Sequence, residues 1–146
     1  MLKAMRSGIT LIEVLLSLTV IGLLVGLAAP VMQSLQARND LDVAANITAQ
    51  TLRRAQALAV AVDGDMMWGV VLQPGSVVLF RGSSYAAREP TFDEQYDLAP
   101  AITPSGLTEV VFAKLTGRPQ AVGTITLANP ETSRTLTVNE LGMIEY

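Results

Sequence analysis

The chain has 146 residues, half of them hydrophobic, with 10 basic and 13 acidic residues and a formal net charge of −3. It contains no cysteine and no histidine, which excludes disulfide support, thiolate metal sites and the commonest general base. The mild acidic balance argues against broad nucleic-acid binding, and the length allows one domain plus an anchor.

The N-terminus reads Met-Leu-Lys3-Ala-Met-Arg6-Ser-Gly8, followed by an apolar stretch from Ile9 to Met32. A span of that length reaches the roughly 20 residues that a helix needs to cross the hydrocarbon core. Lys3 and Arg6 precede it, so the N-terminus is expected to stay cytoplasmic and the bulk of the chain to lie across the membrane. Glu13 is the only charge between Arg6 and Arg38. A carboxylate at bilayer depth costs several kcal/mol, so it demands a functional account and a partner.

Three readings of this segment compete. An ordinary signal peptide would use the small residues at Gly26-Leu27-Ala28, but Glu13 interrupts its apolar region. A plain anchor gives Glu13 no purpose. In the third reading, cleavage falls after Gly8 and the whole apolar segment is retained. Ser7-Gly8 followed by Ile9-Thr-Leu-Ile-Glu13-Val-Leu15 resembles the class III signal of type IV pilins and type II secretion pseudopilins. That resemblance implies a leader over residues 1–8, cut by a prepilin peptidase, with N-methylation of Ile9. The family usually has phenylalanine where this chain has Ile9, and its glutamate at the fifth mature position corresponds to Glu13.

Cleavage would create an α-amine at Ile9 with an ordinary pKa of about 8. In a low-dielectric setting that ammonium and the Glu13 carboxylate attract strongly, and each alone is penalised. Pairing with a neighbouring subunit's amine would drive assembly and fix register. Pairing with the chain's own amine is the local alternative, since residues four apart share a helix face. Gly22-Leu-Leu-Val-Gly26 has the small-xxx-small spacing for close helix approach, or is a chance match in a small-residue-rich helix. Pro30 removes one helical hydrogen bond and is expected to kink or locally melt the helix.

Residues 33–63 continue as an amphipathic helix. Leu41, Ala45, Thr48, Leu52, Ala55, Ala59 and Val62 form a narrow apolar stripe, with Asp42, Asn46, Gln50 and Arg53 opposite. Asn46-Ile-Thr48 matches a glycosylation sequon by chance. Asp63-Gly64-Asp65 reads as a helix stop rather than a calcium site, because two carboxylates fall short of the usual oxygen set.

Residues 66–146 are expected to form an antiparallel sheet domain. Strands are predicted over Met66–Leu72 and Ser76–Arg81, around a turn at Gln73-Pro74-Gly75, and then over Glu109–Ala113, Thr124–Ala128, Arg134–Val138 and Met143–Tyr146. Residues 82–108, with Glu89, Phe92, Asp93, Glu94, Tyr96 and Asp97, read as an irregular variable loop, either a partner surface or a solvated connector. Val110-Val-Phe112, Thr116-Gly-Arg-Pro119, Gly123-Thr-Ile-Thr-Leu127 and Leu136 through Ile144 resemble the H-type minor pseudopilins and FimT-like minor pilins.

The resemblance implies an α+β, pilin-like fold: a long N-terminal helix, membrane-spanning over 9–32, packed on a C-terminal antiparallel sheet. It implies a structural subunit of a type II secretion pseudopilus or type IV pilus, supporting secretion or pilus assembly. The expected partners are the prepilin peptidase, other major and minor pilins or pseudopilins, membrane lipid, and an inner-membrane platform with a separate ATPase. The alternatives are a DNA-uptake minor pilin, which the acidic chain does not favour, and an exported binding module with an ordinary signal peptide. No cofactor, metal or catalytic constellation is expected. There is no P-loop and no Gly-x-Ser-x-Gly elbow, and Lys114 is the only lysine after the leader.

Overall fold

The computed structural model describes residues 8–146, the side chains of residues 27–31 excepted. The described elements begin with α1 (Leu11–Val60). Eight strands follow: β1 (Trp68–Gln73), β2 (Ser76–Arg81), β3 (Glu94–Asp97), β4 (Thr103–Gly106), β5 (Glu109–Phe112), β6 (Gly123–Ala128), β7 (Ser133–Val138) and β8 (Ile144–Glu145). The chain divides into two compact units, Met1–Gln36 and Ala37–Tyr146.

In the second unit the strands form two four-stranded antiparallel sheets, ordered β3-β2-β1-β5 and β4-β6-β7-β8. The single sheet suggested by the sequence is thus two, and the irregular stretch 82–108 contains β3 and β4. Both are four-residue edge strands, with sequences Glu-Gln-Tyr-Asp and Thr-Pro-Ser-Gly. Charged or proline-containing short strands are how sheets blunt their edges, and they carry little apolar alternation to betray them.

The core of this unit is one cluster with three contributors. The first sheet supplies Trp68, Val70, Leu72, Val77, Leu79, Val110 and Phe112; the second supplies Ile125, Leu127, Leu136, Val138 and Ile144. The helix supplies Leu41, Ala44, Ala45, Ala49, Leu52, Ala55 and Ala59. Two sheets bear on the helix, so its buried surface is wider than the stripe predicted. Ala44, Ala49 and Thr51 are buried as well, whereas Val62 lies beyond the helix and is only partly covered. Alanines along this surface let both sheets approach the helix axis closely. Thr51 returns its hydroxyl to the Ile47 carbonyl at 2.8 Å. The hydroxyl of Thr48 is fully buried and has no hydrogen-bond partner.

The far face of the first sheet is apolar too. Val71, Val78, Phe80 and Val111 form a second buried cluster, against which Met67 and Tyr85 pack. The Phe80 ring lies over Gly69, its cross-strand partner, and a Cβ on Gly69 would sit 2.5 Å from the ring. An aromatic laid over a strand glycine fills the space the missing side chain leaves.

Candidate assembly site

Gly8, Ile9 and Thr10 are exposed and precede the helix. Thr10 caps α1. Its carbonyl accepts from the Glu13 and Val14 amides at 3.1 and 3.2 Å, and its hydroxyl oxygen accepts from the Glu13 amide at 3.4 Å. This is the arrangement of an N-cap residue, and Thr10-x-x-Glu13 has capping-box spacing. The sequence held this signal in its Thr-x-x-Glu pattern, and reasoning from charge alone passed over it. A carboxylate in the first turn also complements the positive end of the helix dipole. Among the described residues the Glu13 carboxylate has no hydrogen-bond or ion-pair partner. Ile9 lies before the helix and Glu13 in its first turn.

From Leu11 to Gly26 the helix is exposed and apolar on every side. The two hydroxyls in it are satisfied by the helix itself: Ser17 donates to the Glu13 carbonyl and Thr19 to the Leu16 carbonyl, both at 2.7 Å. Gly22 and Gly26 have nothing within 4 Å of where a Cβ would stand, so their backbones are open to close approach. The bend expected at Pro30 falls on residues whose side chains lie outside the described set. Among the described residues, no helix is long and apolar enough to cross a membrane; the expected span over 9–32 includes residues 27–31.

At the other end of α1, two turns close on the helix. The Gln56 side-chain amide donates to the Gly117 carbonyl at 3.1 Å and to the Leu141 carbonyl at 2.9 Å, and the Leu115 amide donates to the Ala59 carbonyl at 3.0 Å. A Cβ on Gly142, whose φ is +78°, would collide with the Gln56 amide and the Gly117 carbonyl. Only glycine combines that dihedral with that closeness. The Gly117 and Gly142 segments, two of the parts that resemble the H-type chains, thus converge on one helix residue. Sequence reasoning did not single out Gln56, because its partners are 61 and 85 positions away.

The stretch 82–97 is held from within. Arg88 lies over the Tyr85 ring at 3.7 Å and pairs with Asp93 at 2.7 Å. The hydrogen bond to Asp93 raises the Arg88 pKa above its ordinary value, against the lowering effect of burial. Arg81 lies over the Phe92 ring at 3.4 Å and pairs with Glu89. Arg54 of the helix donates to Glu94 at 2.7 Å and to the Tyr96 hydroxyl at 3.1 Å. The Tyr96 hydroxyl donates to Glu94 in turn at 2.8 Å. Glu89, Asp93 and Glu94 are therefore each paired with an arginine. Asp65 pairs with Lys114 at 2.7 Å, and among the described residues no group of three acidic side chains is placed to hold a metal ion.

A long helix packed at its C-terminal part against antiparallel sheet defines the pilin-like α+β class. No protein-family model and no curated protein sequence matches the chain. Among solved structures it is similar to the minor pseudopilin EpsH from the type 2 secretion system of Vibrio cholerae. The TM-score is 0.54 at 12% identity, over 73% of this chain and 94% of that one. At that identity the likeness establishes the fold.

Proposed function

We propose that the chain is a minor pseudopilin or minor pilin: a structural subunit of a type II secretion pseudopilus or related type IV filament. The observation that carries this reading is the all-round apolar, exposed stretch of α1 from Leu11 to Gly26, with one unpartnered carboxylate at Glu13. Such a surface is stable only when covered by lipid or by other helices. The pilin-like fold supports the same reading, as does the protein named for it, a secretion-system subunit.

In this reading a prepilin peptidase cuts between Gly8 and Ile9, the new amine is methylated, and residues 9–32 hold the subunit in the inner membrane. The N-terminus faces the cytoplasm and the sheet domain lies outside. Insertion into the filament, on a platform driven by a separate ATPase, brings Glu13 to the Ile9 amine of a neighbour. Neither charge is then left alone at low dielectric. The role is architectural rather than catalytic.

The mass of the mature protein tests this: a chain beginning with N-methylated Ile9 is expected, and one beginning at Ala29 or Pro30 would sink the reading. Replacing Gly8 with a bulky residue is expected to leave the uncut precursor. Glu13→Ala is expected to be cut at a near-normal rate but to enter filaments poorly; normal entry would rule out charge pairing.

A further inference from the structure

In the second unit, large apolar side chains are exposed at the end where α1 stops. Val60 is 48% exposed, Leu115 67% and Leu141 58%. Val122 and Met143 are exposed at the same end of the second sheet, since Gly123 pairs with Val138 and the Asn139 amide donates to the Met143 carbonyl. Gln56 ties the two leucine-bearing turns together. Leu115 also has φ +71°, a left-handed conformation that is an outlier for a branched residue. A glycine or asparagine there would remove the strain and the exposed apolar surface at once, and strain retained with exposure points to use.

We infer that this end of the domain is the seat of a neighbouring subunit in the same filament, which presents an uncharged, apolar surface to Leu115, Leu141 and Val60. The inference rests on the filament reading above. The charges around the patch are few and of both signs: Lys114 is paired with Asp65, and Arg118, Glu140 and Asp63 stand exposed. An uncharged centre of this kind does not suit a nucleic acid or a strongly charged chain. Five partly exposed side chains also fall short of the roughly 800 Å² per partner that a free-standing complex buries. The patch therefore does not make a stable dimer alone. It acts when a second attachment, the apolar N-terminal stretch of α1, already holds the two chains together and raises their effective concentration.

The test uses the full-length chain in a membrane that carries the filament machinery. Leu115→Gly is expected to be processed like the parent and to melt at the same or a higher temperature, because glycine accepts the left-handed turn. Its incorporation into filaments is expected to fall about tenfold, the scale of one lost apolar anchor. A photo-cross-linking residue at position 141 is expected to capture a different filament subunit. Full incorporation of Leu115→Gly, with no subunit captured from position 141 while the parent assembles, overturns the inference and leaves the filament reading intact. Capture of a second copy of this chain as a dimer outside the filament also overturns it. A parent chain that is neither cut after Gly8 nor incorporated overturns the filament reading and this inference with it.

Discussion

At the scale of single residues, the fold depends on a few contacts between positions far apart in the chain. Gln56 reaches two carbonyls on separate turns, and replacing it with leucine would leave both without that donor. Gln56→Leu is expected to cost about 1–3 kcal/mol in urea denaturation. Gly69→Ala would push a methyl group into the Phe80 ring and is expected to cost about 1–3 kcal/mol. Phe80→Leu should relieve part of that clash, so a double-mutant cycle should show coupling between the two sites. Thr48→Val keeps the shape while removing a buried, unpaired hydroxyl, and is expected to raise stability by about 1 kcal/mol. The Tyr96 pKa is raised, first by burial and then by its hydrogen bond to Glu94. A raised folded-state value means the contribution to stability is complete below the unfolded value of about 10 and is lost as pH rises through the folded one. Denaturation midpoints measured between about pH 8 and 11 should therefore fall more steeply for the parent than for Tyr96→Phe. Only part of this was legible in the sequence. Gly117 and Gly142 stood out by their motifs, while Gln56 and Gly69 act through partners that no local pattern reveals.

At the scale of elements, legibility followed burial. The helix over Leu41–Ala59 was readable from its three-and-four spacing. The inner strands β1, β2, β6 and β7, and the edge strand β5, were readable from their β-branched and apolar runs, because each faces the core on at least one side. The edge strands β3 and β4 were not, since their charges, proline and glycine leave no apolar run to read. The width of the helix's buried surface was missed for a related reason: a stripe predicts one packing partner, and two sheets bury the alanines between stripes. Ala55→Leu tests that geometry. Ala55 is fully buried in the core cluster, so the larger side chain is expected to destabilise by about 1–3 kcal/mol. The same change on an exposed face, Ala57→Leu, should be within about 0.5 kcal/mol of neutral. Thermal melts of the two variants separate these outcomes.

At the scale of the molecule, every residue of the core cluster lies at or beyond Leu41, whereas the continuous exposed apolar surface of α1 lies before residue 27. A chain beginning at residue 37 is therefore expected to fold with an unchanged melting temperature and to remain monodisperse in sedimentation without detergent. The full chain is expected to require detergent or lipid; aggregation of the shortened chain would count against the division. The resemblance at residues 8–13 implied a pilin-like fold before any strand was placed, and the fold is of that kind. The division also bears on inheritance. The helix contributes mostly alanines to a core defined by volume and polarity, and many different letters can meet those requirements over time. Under such terms two chains can share this shape with as little as 12% of their residues in common.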